Sequence, residues 1–260
     1  MTLPILEPDV IIGNDPRLIL VCDHATNHVP DEIDLGVSHA DMQQHIAWDI
    51  GAGALTRMIA GLMGASAVLA PVSRLVIDCN RGLDHPAVIP PVSDGVSVPG
   101  NHNLSDADVA ARVTAYHDPF HAAIDRVVRR SLSKTESAII VAVHSFTDQM
   151  NGRKRHWDAG FLWNTDPRLA QAMIGLLERE TDMIIGDNQP YSGKKLYHTM
   201  QRHGADWGIA QSTMEIRDDH LRDGPNIGAW ARLLADLFDE CLERDDIMTR
   251  LPHPLVEEAS

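Results

Sequence analysis

Cysteine is scarce in this chain, with three residues in 260. Cys22, Cys79 and Cys241 stand in apolar stretches and in no CxxC spacing, so the sequence offers no disulfide framework and points to buried thiols in a reducing compartment. Long hydrophobic runs are missing too. No stretch of about 18 apolar residues is available to span a bilayer, and the opening segment, MTLPILEPDVIIGNDP, has neither a basic region nor a small-residue cleavage site. The expectation is a cytoplasmic protein with no membrane partner. Positive charge is also in short supply: 22 Lys and Arg against 37 Asp and Glu leave a net charge of −15. That balance argues against nucleic acid as a partner. It also repels anionic ligands at long range, so any such ligand needs a local basic pocket.

What is present is otherwise ordinary for a globular protein, with 44% apolar and 23% charged residues. The length fits one large α/β domain, with a core over about residues 17–246 and a surface tail over 247–260. No repeat or linker interrupts it. The 14 histidines are many for this length.

Residues 138–150 (AIIVAVHSFTDQM) read as a buried parallel strand that delivers His144 to its carboxyl end, where open α/β sheets place ligands. Residues 17–23 (RLILVCD) have the same form and end in His24, and residues 208–216 (GIAQSTMEI) carry Glu215. Residues 67–79 are strand-like despite Pro71, and 158–163 and 182–186 are shorter strand candidates. Helical spacing runs over residues 39–63, with His45 and Asp49 on one face and Gly64 as the stop. A second helix spans 105–133, opened by a Ser105/Asp108 capping box and disturbed at Pro119. Others cover 168–180, with Pro167 at the start, and 226–244. Two long loops, 80–103 and 187–207, are rich in Gly and Pro, and loops of that length in a compact domain usually belong to a binding site.

Three strand ends thus present His, His and Glu, and Asp49 supplies a fourth group. A catalytic zinc site takes three His, Asp or Glu ligands and keeps a position for water, while a nearby carboxylate shuttles the proton. His24, Asp49 and His144 are the expected ligands and Glu215 the proton shuttle. Each alone has a bland alternative: a lone histidine after a strand is more often a satisfied polar residue, Asp49 suits a solvated helix face, and Glu215 can pair with Arg217. His117 and His121 are four apart as in HExxH enzymes, but no Glu stands beside the first and Pro119 disturbs the helix. They read as structural or pocket-lining. His28 is a weaker alternative to His24, and His156, His220 and His253 read as surface residues.

The segments DHATNHVP, SRLVIDCNRGLDHP, YHDPFHAAID, VHSFTD, SGKKLYHTMQRHG and MEIRDDHL, in that order, resemble the N-formylglutamate amidohydrolase family over about residues 17–240. The resemblance implies a single α/β domain with a mostly parallel central sheet flanked by helices, in the style of the zinc carboxypeptidases. It implies a Zn2+ ion on His24, Asp49 and His144, with Glu215 as general base. The implied substrate is a small anionic N-acyl amino acid, most simply N-formylglutamate; another N-acyl amino acid, a peptidoglycan amide or a non-catalytic ligand-binding role are the alternatives. The chain departs from the carboxypeptidase pattern at Asn27, where an acid is the usual third ligand, and this moves the acidic ligand to Asp49. Such a substrate needs a carboxylate clamp, which arginine supplies with a planar fork. Arg81, beside Asn80, is the first candidate and Arg217 the second. His203 and Ser192, with Tyr191 and Gly193, are expected to contact substrate or shape the pocket.

Overall fold

The computed structural model describes residues 3–150 and 152–252. Its strands in chain order are β1 (Asp9–Ile11), β2 (Asp15–Cys22), β3 (Ala65–Leu69), β4 (Val92–Ser93), β5 (Val96–Ser97), β6 (Ile139–Phe146), β7 (Gln149–Met150), β8 (Arg153–Lys154), β9 (Ala159–Leu162), β10 (Ile185–Asp187) and β11 (Ala210–Arg217). The helices are α1 (His39–Met42), α2 (Ala52–Met63), α3 (Asp106–Arg112), α4 (Asp118–Leu132), α5 (Arg168–Glu180), α6 (His198–His203), α7 (Gly224–Leu242) and α8 (Asp245–Met248).

Seven strands form one sheet in the order β1-β3-β2-β6-β11-β9-β10. Strands β3, β2, β6 and β11 run parallel, as do β9 and β10, while β1 and β9 pair antiparallel with β3 and β11. The sheet is therefore mixed but mostly parallel. All eight residues of β6 are buried, because helices cover both faces and a strand enclosed in this way must be apolar throughout. Alternation sorts the side chains. Ile139, Val141 and Val143 face a core shared with α2, α5 and α7, and Ile140 and Ala142 face a second core beneath α4. Helix α4 turns Phe120, Ile124, Val127 and Val128 onto that second face, each contributing about 1.5–3 kcal/mol of apolar burial.

The helix expected over 39–63 is broken. Only α1 and α2 are helical, and the turns between them carry Asp49. The regular apolar spacing in this stretch serves two different cores: Ile46 packs beneath the loops with Val72, Leu75 and Ile77, whereas Leu55 and Ile59 pack against the sheet. Gly51 makes the break sharp, with φ +78° and a position where a Cβ would lie 2.4 Å from the Leu221 carbonyl oxygen.

The helix expected over 105–133 begins at its capping box but passes through a π turn, Val113–His117, immediately before Pro119 and α4. The strand expected over 67–79 stops at Leu69. Ser73 and Arg74 then bond to the Ala47 carbonyl, and Val72, Leu75, Val76 and Ile77 are buried in loop conformation. In the tail, Ile247 is buried and the Leu251 amide donates to the Gly208 carbonyl, so the chain stays docked to that point; residues 253–260, with His253, lie outside the described residues. Among the described residues no helix is long and apolar enough to cross a membrane.

Candidate metal centre

The three central parallel strands set the site. In the β6–β11 register His144 lies opposite Glu215, so the two side chains emerge side by side on the α4 face of the sheet. His24 follows the end of β2, and Asp49 arrives from the turn before α2, its amide held by the His24 carbonyl at 3.1 Å. The Asp49 Oδ2 atom lies 2.7 Å from His144 Nδ1 and 3.3 Å from His24 Nδ1. The two imidazoles meet edge to face with centroids 5.0 Å apart. One ligand atom from each of His24, Asp49 and His144 falls within 4.8 Å of the others, and all three residues are buried.

The far side of each ring is also fixed. His24 Nε2 faces Asp78 Oδ1 at 2.8 Å and His144 Nε2 faces Asp23 Oδ2 at 3.1 Å. A carboxylate only accepts, so each Nε2 donates its proton outward, and both Nδ1 atoms turn to the shared Asp49 Oδ2, where a bound ion would take the place of their protons. Carboxylate–histidine pairs of this kind orient metal-ligating imidazoles and raise their basicity. Asp23 is held in turn by the Thr199 hydroxyl at 2.6 Å. Arg74 spans Asp49 Oδ1 at 3.1 Å and Asp78 Oδ2 at 3.3 Å.

The charge balance fits a cation. Asp23, Asp49, Asp78 and Glu215 are all buried, and the arginines beside them are Arg74 and Arg81. Burial works to raise the Asp49 carboxyl, but His24 and His144 outweigh it and hold it well below the usual carboxylate range. Burial acts equally against charge on His144, and its bonds to Asp23 and Asp49 override that and raise it well above the ordinary histidine value. Glu215 differs. Burial pushes it up to about 7 and Asp49 adds to the rise, with His144 opposing. Its Oε2 is buried without a hydrogen-bond partner. Two imidazoles and a carboxylate suit zinc and other divalent transition metals, so the donor set fits the expected ion.

His24, Asp49, Arg74, Asp78, His144 and Glu215 line a cavity of about 240 Å³, together with Asn80, Arg81, Tyr191, Leu196 and Thr213. That is smaller than the roughly 300–1,000 Å³ of sites for drug-sized ligands, so the cavity suits a small molecule. The Arg81 guanidinium makes long contacts, 3.5 Å to Asp78 and 3.4 Å to His85. Asn80 Oδ1 accepts from the Thr199 amide.

Three expected substrate contacts lie elsewhere. The Arg217 guanidinium is engaged by Asp158, Asp219 and the Trp157 carbonyl, and so turns away from the cavity that Glu215 enters. His203 is fully buried between Asp125 and His121. Ser192 caps its own turn, with its hydroxyl accepting from the Lys194 amide, and its neighbour Tyr191 reaches the cavity instead. His28 is exposed, and Asn27 bonds to the Met42 carbonyl, a structural role. Asp23, Asp78, Arg74 and Thr199 were not expected here. For Asp23 the available signal was position, directly after an apolar segment and beside His24, and Asp78 likewise follows an apolar segment, two residues before Asn80; the i, i+4 spacing of Arg74 and Asp78 was a weaker one.

Fold and site together define a class: an α/β protein whose mostly parallel sheet ends in a buried His–Asp–His donor set with a further carboxylate beside it. The sequence model of N-formylglutamate amidohydrolase matches residues 16–221, and the chain belongs to that family. Membership makes it an amidohydrolase by class. Among solved structures, gene product Atu2144 from Agrobacterium tumefaciens is 31% identical, with a TM-score of 0.86 over 90% of this chain and 94% of that one. N-formylglutamate amidohydrolase from Ralstonia eutropha JMP134 shares the fold at 18% identity, with a TM-score of 0.68 over 92% of this chain and 98% of that one. No curated protein matches.

Proposed function

We propose that this chain is a metal-dependent amidohydrolase of carboxypeptidase-like fold that removes the N-acyl group from a small acidic amino acid such as N-formylglutamate. The observation that carries the reading is the convergence of His24 Nδ1, His144 Nδ1 and Asp49 Oδ2, with Glu215 buried beside them. His24, Asp49 and His144 would hold the ion, for which zinc is the first choice. A bound zinc ion would bring the pKa of a water down to about 7 and polarise the amide carbonyl.

Glu215, raised by its surroundings to about 7, takes up the proton from the attacking water and returns it to the departing nitrogen. A new carbon–oxygen bond forms at the acyl carbon and the carbon–nitrogen bond breaks, which for the formyl substrate gives formate and the free amino acid. Asp78 and Asp23 keep the two imidazoles in the required tautomer. Arg81 and Asn80 receive a substrate carboxylate at the cavity wall, giving an acidic protein its local basic patch.

The direct test is release of formate from N-formylglutamate and N-formylglycine, and of acetate from N-acetylglutamate, by the zinc-loaded protein. The expected order is N-formylglutamate first, with N-formylglycine weaker because it lacks the second carboxylate. Equal rates on N-formylglutamate and N-formylglycine would remove recognition of the second carboxylate from the account, and no turnover of any of the three would reject the substrate class.

A further inference from the structure

A second group of histidines sits behind the cavity and shares no residue with the first. His117 closes the π turn, His121 lies one turn into α4, and His198 and His203 stand at the two ends of α6. Their rings are packed together: centroids are 4.4 Å apart for His117 and His121, 5.4 Å for His121 and His198, and 5.1 Å for the stacked pair His121 and His203.

The hydrogen bonds of these rings leave their lone pairs in defined places. His117 Nε2 lies 3.2 Å from the Arg81 carbonyl and His121 Nε2 lies 3.0 Å from the Cys79 carbonyl. A carbonyl only accepts, so both Nε2 atoms carry the proton and both Nδ1 atoms present a lone pair. The lone pair of His121 meets His203 Nε2 at 2.8 Å, and His203 is anchored through Nδ1 to Asp125 at 2.9 Å. The lone pair of His117 meets no donor. Its Nδ1 is buried with no hydrogen-bond partner, and Asp118 Oδ1 stands 3.6 Å away, too far for a hydrogen bond. His198 Nε2 is likewise buried and without a partner. Most buried polar atoms find a partner, so two unpaired imidazole nitrogens in one cluster call for a group that can accept lone pairs.

One nitrogen from each of His117, His121 and His198 lies within 4.8 Å of the other two. We propose that these three residues form a second site for a divalent transition-metal ion, separate from the site on His24, Asp49 and His144. Imidazole suits zinc, nickel and copper, and backbone carbonyls that hold the opposite Nε2 protons are the usual support for a ligating histidine. An ion at this site would meet the unpartnered His117 Nδ1 and His198 Nε2 directly and would displace His203 Nε2 from His121 Nδ1. His198 is partly buried and lines a surface groove with Lys195, Gln201 and Arg202, which gives an ion a way in.

The location assigns the ion a positioning role. The carbonyls that hold the rings belong to Cys79 and Arg81, on either side of Asn80. The same turn presents Asp78 to His24 and places Arg81 at the cavity wall. On the other side, Thr199 follows His198 and bonds to both Asn80 and Asp23. An ion on His117, His121 and His198 ties that turn to α6 and so fixes the cavity wall without touching the substrate.

The test counts zinc per chain by elemental analysis, using tag-free protein that has been stripped with chelator, reloaded with zinc and dialysed. Wild type is expected to hold one equivalent more than His198→Ala and one more than His117→Gln, with both variants checked for folding by far-UV circular dichroism. The double variant Asp49→Ala/His144→Ala is expected to keep the equivalent that His198→Ala loses. Loss of that equivalent by either folded histidine variant supports the site. Zinc content equal to wild type in the folded variants overturns it. Because the double variant reports the first centre separately, failure of one site is distinguishable from failure of the other.

Discussion

Glu215 is held at a cost. Its value of about 7 in the folded chain lies above the ordinary 4.5, so below about 4.5 it is protonated in both states and costs nothing. Above about 7 the folded protein carries an unfavourable buried carboxylate. Glu215→Gln should therefore stabilise the metal-free protein at pH 8 by up to about 3 kcal/mol and shift thermal melting upward, while formate release falls at least about 100-fold. A variant with wild-type turnover would take Glu215 out of the proton-transfer role. The same value sets the acid limb of the rate profile: activity should rise with pH to a plateau, with a midpoint at or below about 7 because a bound cation draws the carboxyl lower. Asp78→Asn should weaken zinc binding by about 10- to 100-fold in a chelator competition, since His24 loses the carboxylate that orients it; unchanged affinity would leave Asp78 without a supporting role. His24, His144 and Glu215 were legible in the sequence because each interrupts an apolar run at a place where a sheet opens onto solvent. Asp23, Asp78 and Arg74 were not, since an acid beside a strand end looks the same in sequence whether it faces water or an imidazole.

The helices and strands differ in how far local pattern determines them. Helices α5 and α7 lie close to where apolar periodicity put them, because each presents one stripe to one core. The stretch around Asp49 misled for the opposite reason: a single periodic pattern is divided between two cores, and the bend falls at Gly51. That bend aims Asp49, two residues earlier, at His24. Gly51→Ala places a side chain at φ +78° and 2.4 Å from the Leu221 carbonyl oxygen, which should cost at least about 1–3 kcal/mol. Melting should fall by several degrees and zinc affinity with it. Melting and zinc affinity both equal to wild type would show that the turn before α2 tolerates a different path. The π turn before α4 was marked in the sequence only by Pro119, which signals a disturbance but not its kind. Its result is to place His117 over the Arg81 carbonyl.

At the scale of the whole molecule, a chain of net charge −15 gathers four buried acids at one end of its sheet, beside two arginines and two histidines. That β2, β6 and β11 belong to a mostly parallel sheet was readable from buried apolar runs, but the order β3-β2-β6-β11 was not. The antiparallel return of β9 against β11 was not, because four residues carry too little pattern to fix a direction. That sheet brings His24, His144 and Glu215 together, and the turn before α2 adds Asp49. Their convergence is tested most directly by measuring formate release from N-formylglutamate with protein stripped by chelator, and again after zinc is restored. The account predicts that the stripped protein is inactive, that zinc returns the activity to wild type, and that zinc returns none to Asp49→Ala. Full activity in the stripped protein, or zinc-restored activity in Asp49→Ala equal to wild type, would contradict it.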